Sequence, residues 1–414
     1  MRSTVWRRRG RTSAVVSALG ALLLLGGAVA PAATADTMRE RQWYLDRMQA
    51  PAMWKVSTGK GITVALLDTG VIPSVPELTG KVLKGKNFVE PERGAHKDKD
   101  GHGTAMAMLI AGNGANDQGV KGLAPDARVL PLTVFGSSKE SGTNSVPAVI
   151  EAIRYAADSD ARIINLSLGF EDYMLETGER EKIQQAVDYA IDRGKLILAA
   201  TGNSGDKDND PSYPAASAGV AGVGAIDKTL NVTKFSVWGS EVALAAPGDE
   251  IPILCGGGMP GYCKSNGTSQ ATAIASASAA LIWSMHPDWT GNQVLRVLMN
   301  TAGKPSDGVV PSRYIGYGTV RPRVTVLGGK ADPGPADVNP LVAARATASP
   351  SPSVSASASP SEDPKPSATP AAEDDDGQGG TDTTVWIVVG AVAAVVVVGG
   401  AVLLVRRRST GPRY

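Results

Sequence analysis

The chain has 414 residues, with 41 Lys plus Arg against 40 Asp plus Glu, a formal net charge of +1, and 43% hydrophobic residues. That balance excludes a chain held to nucleic acid or to acidic partners by bulk charge. Residues from about 40 to 328 are rich in Ala, Val, Ile, Leu and Gly, enough for one large buried core between two atypical ends.

The N-terminus places Arg7-Arg8-Arg9 and Arg11 before an apolar run from Ala14 to Val29, and then Ala33-Thr34-Ala35. This is the order of an export signal, expected to occupy residues 1–35. Residues 36–60 follow as a short N-terminal extension, and 61–328 as the folded domain. Within it, Ile62–Leu67, Val129–Val134, Ile163–Leu168, Leu196–Ala200 and Val220–Ala225 read as short, fully buried strands. Helical spacing over Thr104–Ala111, Ser145–Ala157, Glu179–Arg193 and Ser269–His286 alternates with them. The expected fold is therefore α/β, a doubly wound parallel sheet with helices on both faces and polar residues delivered at the carboxyl ends of the strands.

Beyond residue 328 the composition shifts to Pro, Ser, Ala and Thr, and residues 329–384 read as a disordered stalk. Val385 to Val405 then gives 21 residues without a charge. At about 1.5 Å per residue they span about 30 Å, enough to cross a bilayer. Arg406-Arg407-Arg408 open a basic tail, residues 406–414, and put that tail in the cytoplasm with everything before the helix outside. The only cysteines, Cys255 and Cys263, read in an exported chain as a local disulfide around Gly256-Gly257-Gly258. Such a small loop gains about 2 to 3 kcal/mol from the bridge.

Three short segments carry chemistry. Asp68 ends an apolar strand in Asp68-Thr69-Gly70, where a buried carboxylate needs hydrogen-bond donors. His102, one of three histidines, lies in Gly101-His102-Gly103-Thr104 where a helix begins. Ser269 opens a long small-residue helix after Asn266-Gly267-Thr268, beside free backbone N–H groups and the positive end of the helix dipole. Taken singly, a turn-capping Asp, a solvated His and an N-cap Ser are adequate explanations.

Together, the motifs in the order Asp, His, Ser resemble the subtilisins. Ile163-Ile164-Asn165-Leu166-Ser167-Leu168-Gly169 looks like their substrate-cleft strand, and Ala199-Ala200-Thr201-Gly202-Asn203-Ser204-Gly205 like their oxyanion loop. The resemblance implies a serine endopeptidase with Ser269 as nucleophile, His102 as general base and Asp68 orienting it. It further implies that Asn203 donates to the oxyanion and that Ser167, Leu168 and Gly169 bind substrate. Ala105 stands where subtilisins commonly carry a second His, and Ala273 where they carry a Pro.

The order of signal, catalytic domain, Pro-rich stalk, single C-terminal helix and basic tail is similar to the mycosins, membrane-anchored subtilisin-like proteases associated with type VII secretion in actinobacteria. Arg41-Gln42-Trp43-Tyr44-Leu45, Trp54 and Thr58-Gly59-Lys60-Gly61 fit the same family, and too few residues precede the first strand for a folded inhibitory propeptide. That resemblance implies peptide or protein substrates, limited processing of exported proteins and a type VII membrane complex as partner. The competing role is structural stabilisation of that complex, with proteolysis secondary or absent. No cofactor is required. Calcium at Asp206, Asp208 and Asp210 is the one metal considered, against a solvated acidic turn.

Overall fold

The computed structural model describes residues 37–116, 118–136, 145–255 and 261–348. The predicted export signal, most of the Ser137 to Ser145 insertion, the Gly256-Gly257-Gly258 loop, the later part of the stalk, the 385–405 span and the basic tail lie outside them. Among the described residues no helix is long and apolar enough to cross a membrane.

The apolar runs become neighbouring strands. In chain order the strands are β1 (Thr63–Asp68), β2 (Lys86–Asn87), β3 (Arg128–Thr133), β4 (Ile163–Leu166), β5 (Phe170–Glu171), β6 (Leu196–Ala200), β7 (Ser212–Tyr213), β8 (Ala221–Ile226), β9 (Val242–Pro247), β10 (Ile251–Leu254) and β11 (Tyr262–Ser265). Seven form one sheet in the order β2-β3-β1-β4-β6-β8-β9 with every neighbouring pair parallel. Strands β5 with β7 and β10 with β11 make two antiparallel pairs.

The helices are α1 (Met38–Arg41), α2 (Trp43–Arg47), α3 (Ala50–Met53), α4 (His102–Ala111), α5 (Val146–Asp158), α6 (Glu179–Asp192), α7 (Thr268–Met285), α8 (Gly291–Thr301), α9 (Arg323–Val326) and α10 (Pro340–Ala348). Side-chain alternation along β1 assigns them to two faces. Val64 and Leu66 join the core built with α4, α7 and α8, whereas Ala65 and Leu67 join the core built with α5 and α6. This is the predicted parallel α/β layering. Order reverses at β1, with β2 and β3 on one side and the later strands on the other, so the site is expected at the carboxyl edge of β1 and β4.

Helix α7 runs through the first core and is buried along most of its length. Its buried hydroxyls find partners inside the core: Thr272 Oγ1 donates to Thr268 O at 2.8 Å, Ser278 Oγ donates to Ile274 O at 2.8 Å, and Ser276 meets the Asn165 amide at 2.9 Å. Small Ala and Ser side chains let this helix lie close against the sheet, which fixes where its first turn falls.

The N-terminal extension is part of the same body. Met38, Tyr44, Leu45, Met48 and Met53 are buried in the first core. Buried Gln42 pairs with the Lys121 backbone, donating to its carbonyl at 2.8 Å and accepting from its N–H at 2.9 Å.

At the other end, residues 331–348, which composition places in the stalk, are held against the body. Arg296 donates to the carbonyls of Pro333, Pro335 and Val338, Asn339 Nδ2 donates to Gly219 O at 3.1 Å, and Leu341 is buried. The stalk boundary at 329 is therefore too early, because the Arg296 guanidinium satisfies backbone carbonyls of a Pro- and Ala-rich segment that composition alone reads as linker.

Cys255 and Cys263 are free thiols. Cys263 registers opposite Ile253 in the β10–β11 ladder, so the two side chains meet diagonally. Burial and the neighbouring thiol push Cys263 up to about 11.

Candidate active site

Asp68 closes β1 and is buried. Its Oδ1 accepts the Thr69 N–H at 2.8 Å and the His102 Nδ1–H at 2.7 Å. His102 is the first residue of α4 and is delivered by Gly101 at φ 89°, a left-handed conformation natural to glycine. Gly103 admits the close approach: a Cβ there would sit 2.1 Å from Gly70 O and 3.1 Å from Asp68 Oδ1. Burial alone would lower the His102 pKa. The charge and hydrogen bond of Asp68, helped by Asp100 and Asp98, more than offset this and raise it to about 9.

Ser269 is the second residue of α7, where its backbone N–H has no intrahelical acceptor. Its Oγ donates to Ser167 O at 3.0 Å while Ser167 Oγ donates to Ser269 O at 2.9 Å. This reciprocal pair ties the end of β4 to the first turn of α7. Ser269 Oγ is thus engaged by the Ser167 carbonyl and makes no hydrogen bond to His102.

Asn203 follows β6 and lies across the cleft. Its Oδ1 accepts the Thr268 N–H at 2.9 Å and Thr268 Oγ1 at 3.2 Å, while Thr268 Oγ1 accepts from Gly202 N–H at 3.2 Å. A backbone N–H can only donate, so the amide oxygen is pinned on α7 and Nδ2 is left for the cleft. That cleft, about 500 Å³, is lined by Leu168, Gly169, Glu171 and Met174 together with Gly202, Asn203 and Ser269. A Cβ on Gly169 would lie 1.9 Å from Ser212 Oγ, so any larger residue there would force the Ser212 side chain to turn.

Residues 59–318 match the Peptidase_S8 subtilase family. The chain belongs to the subtilase family. This subtilase is 35% identical over 64% of its length to Thermitase from Thermoactinomyces vulgaris, covering 90% of that protein. Among solved structures it is similar to MycP1 from Mycobacterium smegmatis, with 27% identity, a TM-score of 0.63 and coverage of 74% of this chain and 89% of that one. It is also similar to a MycP1 serine protease described as an essential component of the type VII (ESX-1) secretion system, with 30% identity, a TM-score of 0.61 and coverage of 71% and 90%.

The subtilase is thus a serine endopeptidase, acting on peptide or protein substrates. The structure brings Leu168, Gly169, Asn203 and Ser269 to one cleft, with Ser167 bonded to Ser269 behind it and the Asp68–His102 pair delivered by β1 and α4. Asp206, Asp208 and Asp210 occupy a partly exposed loop, and among the described residues no group of three or more His, Cys, Asp or Glu is placed to hold a metal. Sequence patterns missed Asp98, a buried carboxylate four residues before His102 that binds both the Asp68 and the His102 segments. Its only local signal is an acid at that spacing, a weak one.

Proposed function

We propose that this subtilase makes limited cuts in exported proteins at a type VII secretion system. In this account residues 1–35 direct export, 385–405 anchor the chain by one span, and the catalytic domain works outside the cell with the basic tail inside. Outside the membrane, the adjacent Cys255 and Cys263 thiols give up two protons and two electrons to a disulfide-bearing oxidant by thiol–disulfide exchange, leaving a disulfide that staples the β10–β11 hairpin. The secretion role is supported by the similarity to MycP1, whose descriptions place it in such a system.

The proposed chemistry is supported by one observation, the 2.7 Å hydrogen bond between His102 Nδ1 and Asp68 Oδ1. Substrate adds as an extended strand along Ser167–Gly169. His102 accepts the Ser269 hydroxyl proton as Oγ attacks the carbonyl carbon, and Asp68 stabilises the imidazolium. Asn203 Nδ2 and the Ser269 N–H receive the oxyanion, after which His102 returns the proton to the departing amine and water repeats the sequence on the acyl-enzyme.

The test compares N-termini of exported proteins from cells carrying the full chain, Ser269→Ala, or no chain. Cut sites present only with the parent chain are expected. Export that fails without the chain but proceeds normally, with unchanged N-termini, with Ser269→Ala would establish the structural role instead.

A further inference from the structure

We propose that Asp98 is a positioning residue for the Asp68–His102 pair, drawing the Thr69 hydroxyl proton away from Asp68 while holding the loop that delivers His102. The inference rests on the reading in which Asp68 and His102 are the reacting pair.

Asp98 is buried and lies on the loop before α4. Both carboxylate oxygens are fully used. Oδ1 accepts Thr69 Oγ1 at 2.9 Å and Gly101 N–H at 2.8 Å; Oδ2 accepts Thr104 N–H at 2.8 Å and Thr104 Oγ1 at 2.6 Å. These donors bracket the site: Thr69 follows Asp68, Gly101 precedes His102, and Thr104 follows two residues later. A single side chain therefore ties the end of β1 to the start of α4.

Proton accounting gives it a second effect. Thr69 Oγ1 lies 2.9 Å from Asp98 Oδ1 and 3.2 Å from Asp68 Oδ1, yet has one proton to donate. Gly103 N–H donates into the same oxygen at 3.0 Å, which uses one lone pair and helps set the hydroxyl orientation. The shorter contact takes the proton. Asp68 Oδ1 then keeps two donors, Thr69 N–H and His102 Nδ1–H, and its charge is directed at the imidazole.

An amide at position 98 reverses this. In either orientation the amide nitrogen displaces one backbone donor, Gly101 N–H at the Oδ1 place or Thr104 N–H at the Oδ2 place; at the Oδ1 place it donates to the Thr69 oxygen, which turns its own proton to Asp68, where a further hydrogen bond draws charge away from the imidazolium. Charged groups facing His102 are Asp68 from β1 and Asp98 and Asp100 from the loop before α4, so losing the Asp98 charge acts in the same direction. Both effects make His102 a weaker base.

The experiment uses the full chain in detergent. It measures the pH dependence of the second-order rate of labelling by a fluorophosphonate probe, together with the NMR titration of isotope-labelled histidine. Three histidines, His96, His102 and His286, keep the assignment tractable. Asp98→Asn is expected to move both the rise in labelling and the His102 titration to lower pH and to lower the plateau rate. Adding Thr69→Val to Asp98→Asn removes the redirected hydroxyl and restores part of the shift. Thr69→Val alone leaves the His102 titration in place, and this variant decides the matter if Asp98→Asn does not fold. A folded Asp98→Asn protein with an unmoved His102 titration, or a rise in the His102 pKa on Thr69→Val alone, would overturn the assignment. Failure of the parent chain to label would instead strike the catalytic reading, while the imidazole titration still reads Asp98.

Discussion

Replacing Asn203 separates two functions carried by one amide. Its oxygen anchors the first turn of α7 through Thr268 N–H at 2.9 Å and Thr268 Oγ1 at 3.2 Å, and in the proposed mechanism its nitrogen donates to the oxyanion. Asn203→Ala removes both. Asn203 is exposed and water can replace part of the anchor, so its loss costs about 1 kcal/mol of stability. Loss of the oxyanion donor costs about 2.7 to 4 kcal/mol in the transition state, about 10²- to 10³-fold in turnover, by the magnitude known for the equivalent donor of subtilisin. Asn203→Asp keeps the accepting oxygen and adds negative charge beside the α7 N-terminus, worth about 0.3 to 1 kcal/mol to the fold. It nevertheless loses the donor and sets a carboxylate against the developing oxyanion. Melting temperature and hydrolysis of labelled casein, normalised to active sites titrated with fluorophosphonate, should therefore part company. The Asp variant should melt no lower than the parent yet turn over more slowly than the Ala variant. Turnover near the parent's in Asn203→Asp would refute the donor assignment, and equal destabilisation by both substitutions would refute the anchor.

Other outcomes follow from the same geometry. Because the base must be neutral and His102 is raised to about 9, kcat/KM should climb with pH well above the usual imidazole range; a limb at or below about 6.5 would contradict this. Gly103→Ala puts a Cβ 2.1 Å from Gly70 O, so the first turn of α4 must shift. Displacement of that order costs about 100-fold in rate, and labelling at the parent's rate would show the contact to be soft. Leu45→Ala truncates a fully buried side chain in the N-terminal segment and should cost about 2 to 5 kcal/mol in denaturant unfolding. A loss below about 0.5 kcal/mol, the size expected of a surface change, would mean that segment is not part of the cooperative core.

Strands β1 and β4 were legible because parallel strands buried on both faces leave continuous apolar runs ending in polar residues. Strand β9 was not, since Val242–Pro247 is mostly Ala and Pro beside a register shift at Gly222/Val223. Helix α8 escaped notice although Thr290 and Gln293 form a capping box, a local signal that was there to be used. The end of the folded body was misplaced because Pro333, Pro335 and Val338 are fixed by Arg296, a partner about 40 positions away that composition does not reveal.

Asp68, His102, Asn203 and Ser269 could be picked out from the motifs as candidates, since each sits near the end of a strand or the start of a helix with a glycine close by. Asp98 was invisible for the opposite reason: its meaning comes from Thr69, 29 positions earlier in the chain. The resting Ser269 hydrogen bond to Ser167 O is a matter of side-chain rotamer, which no sequence pattern encodes.

The most direct measurement is fluorophosphonate labelling of the full chain beside Ser269→Ala and His102→Ala, with the adduct located by peptide mass spectrometry. Labelling confined to Ser269 and lost in both variants is the predicted result; labelling that survives Ser269→Ala, or no labelling of the folded parent chain, would contradict the account.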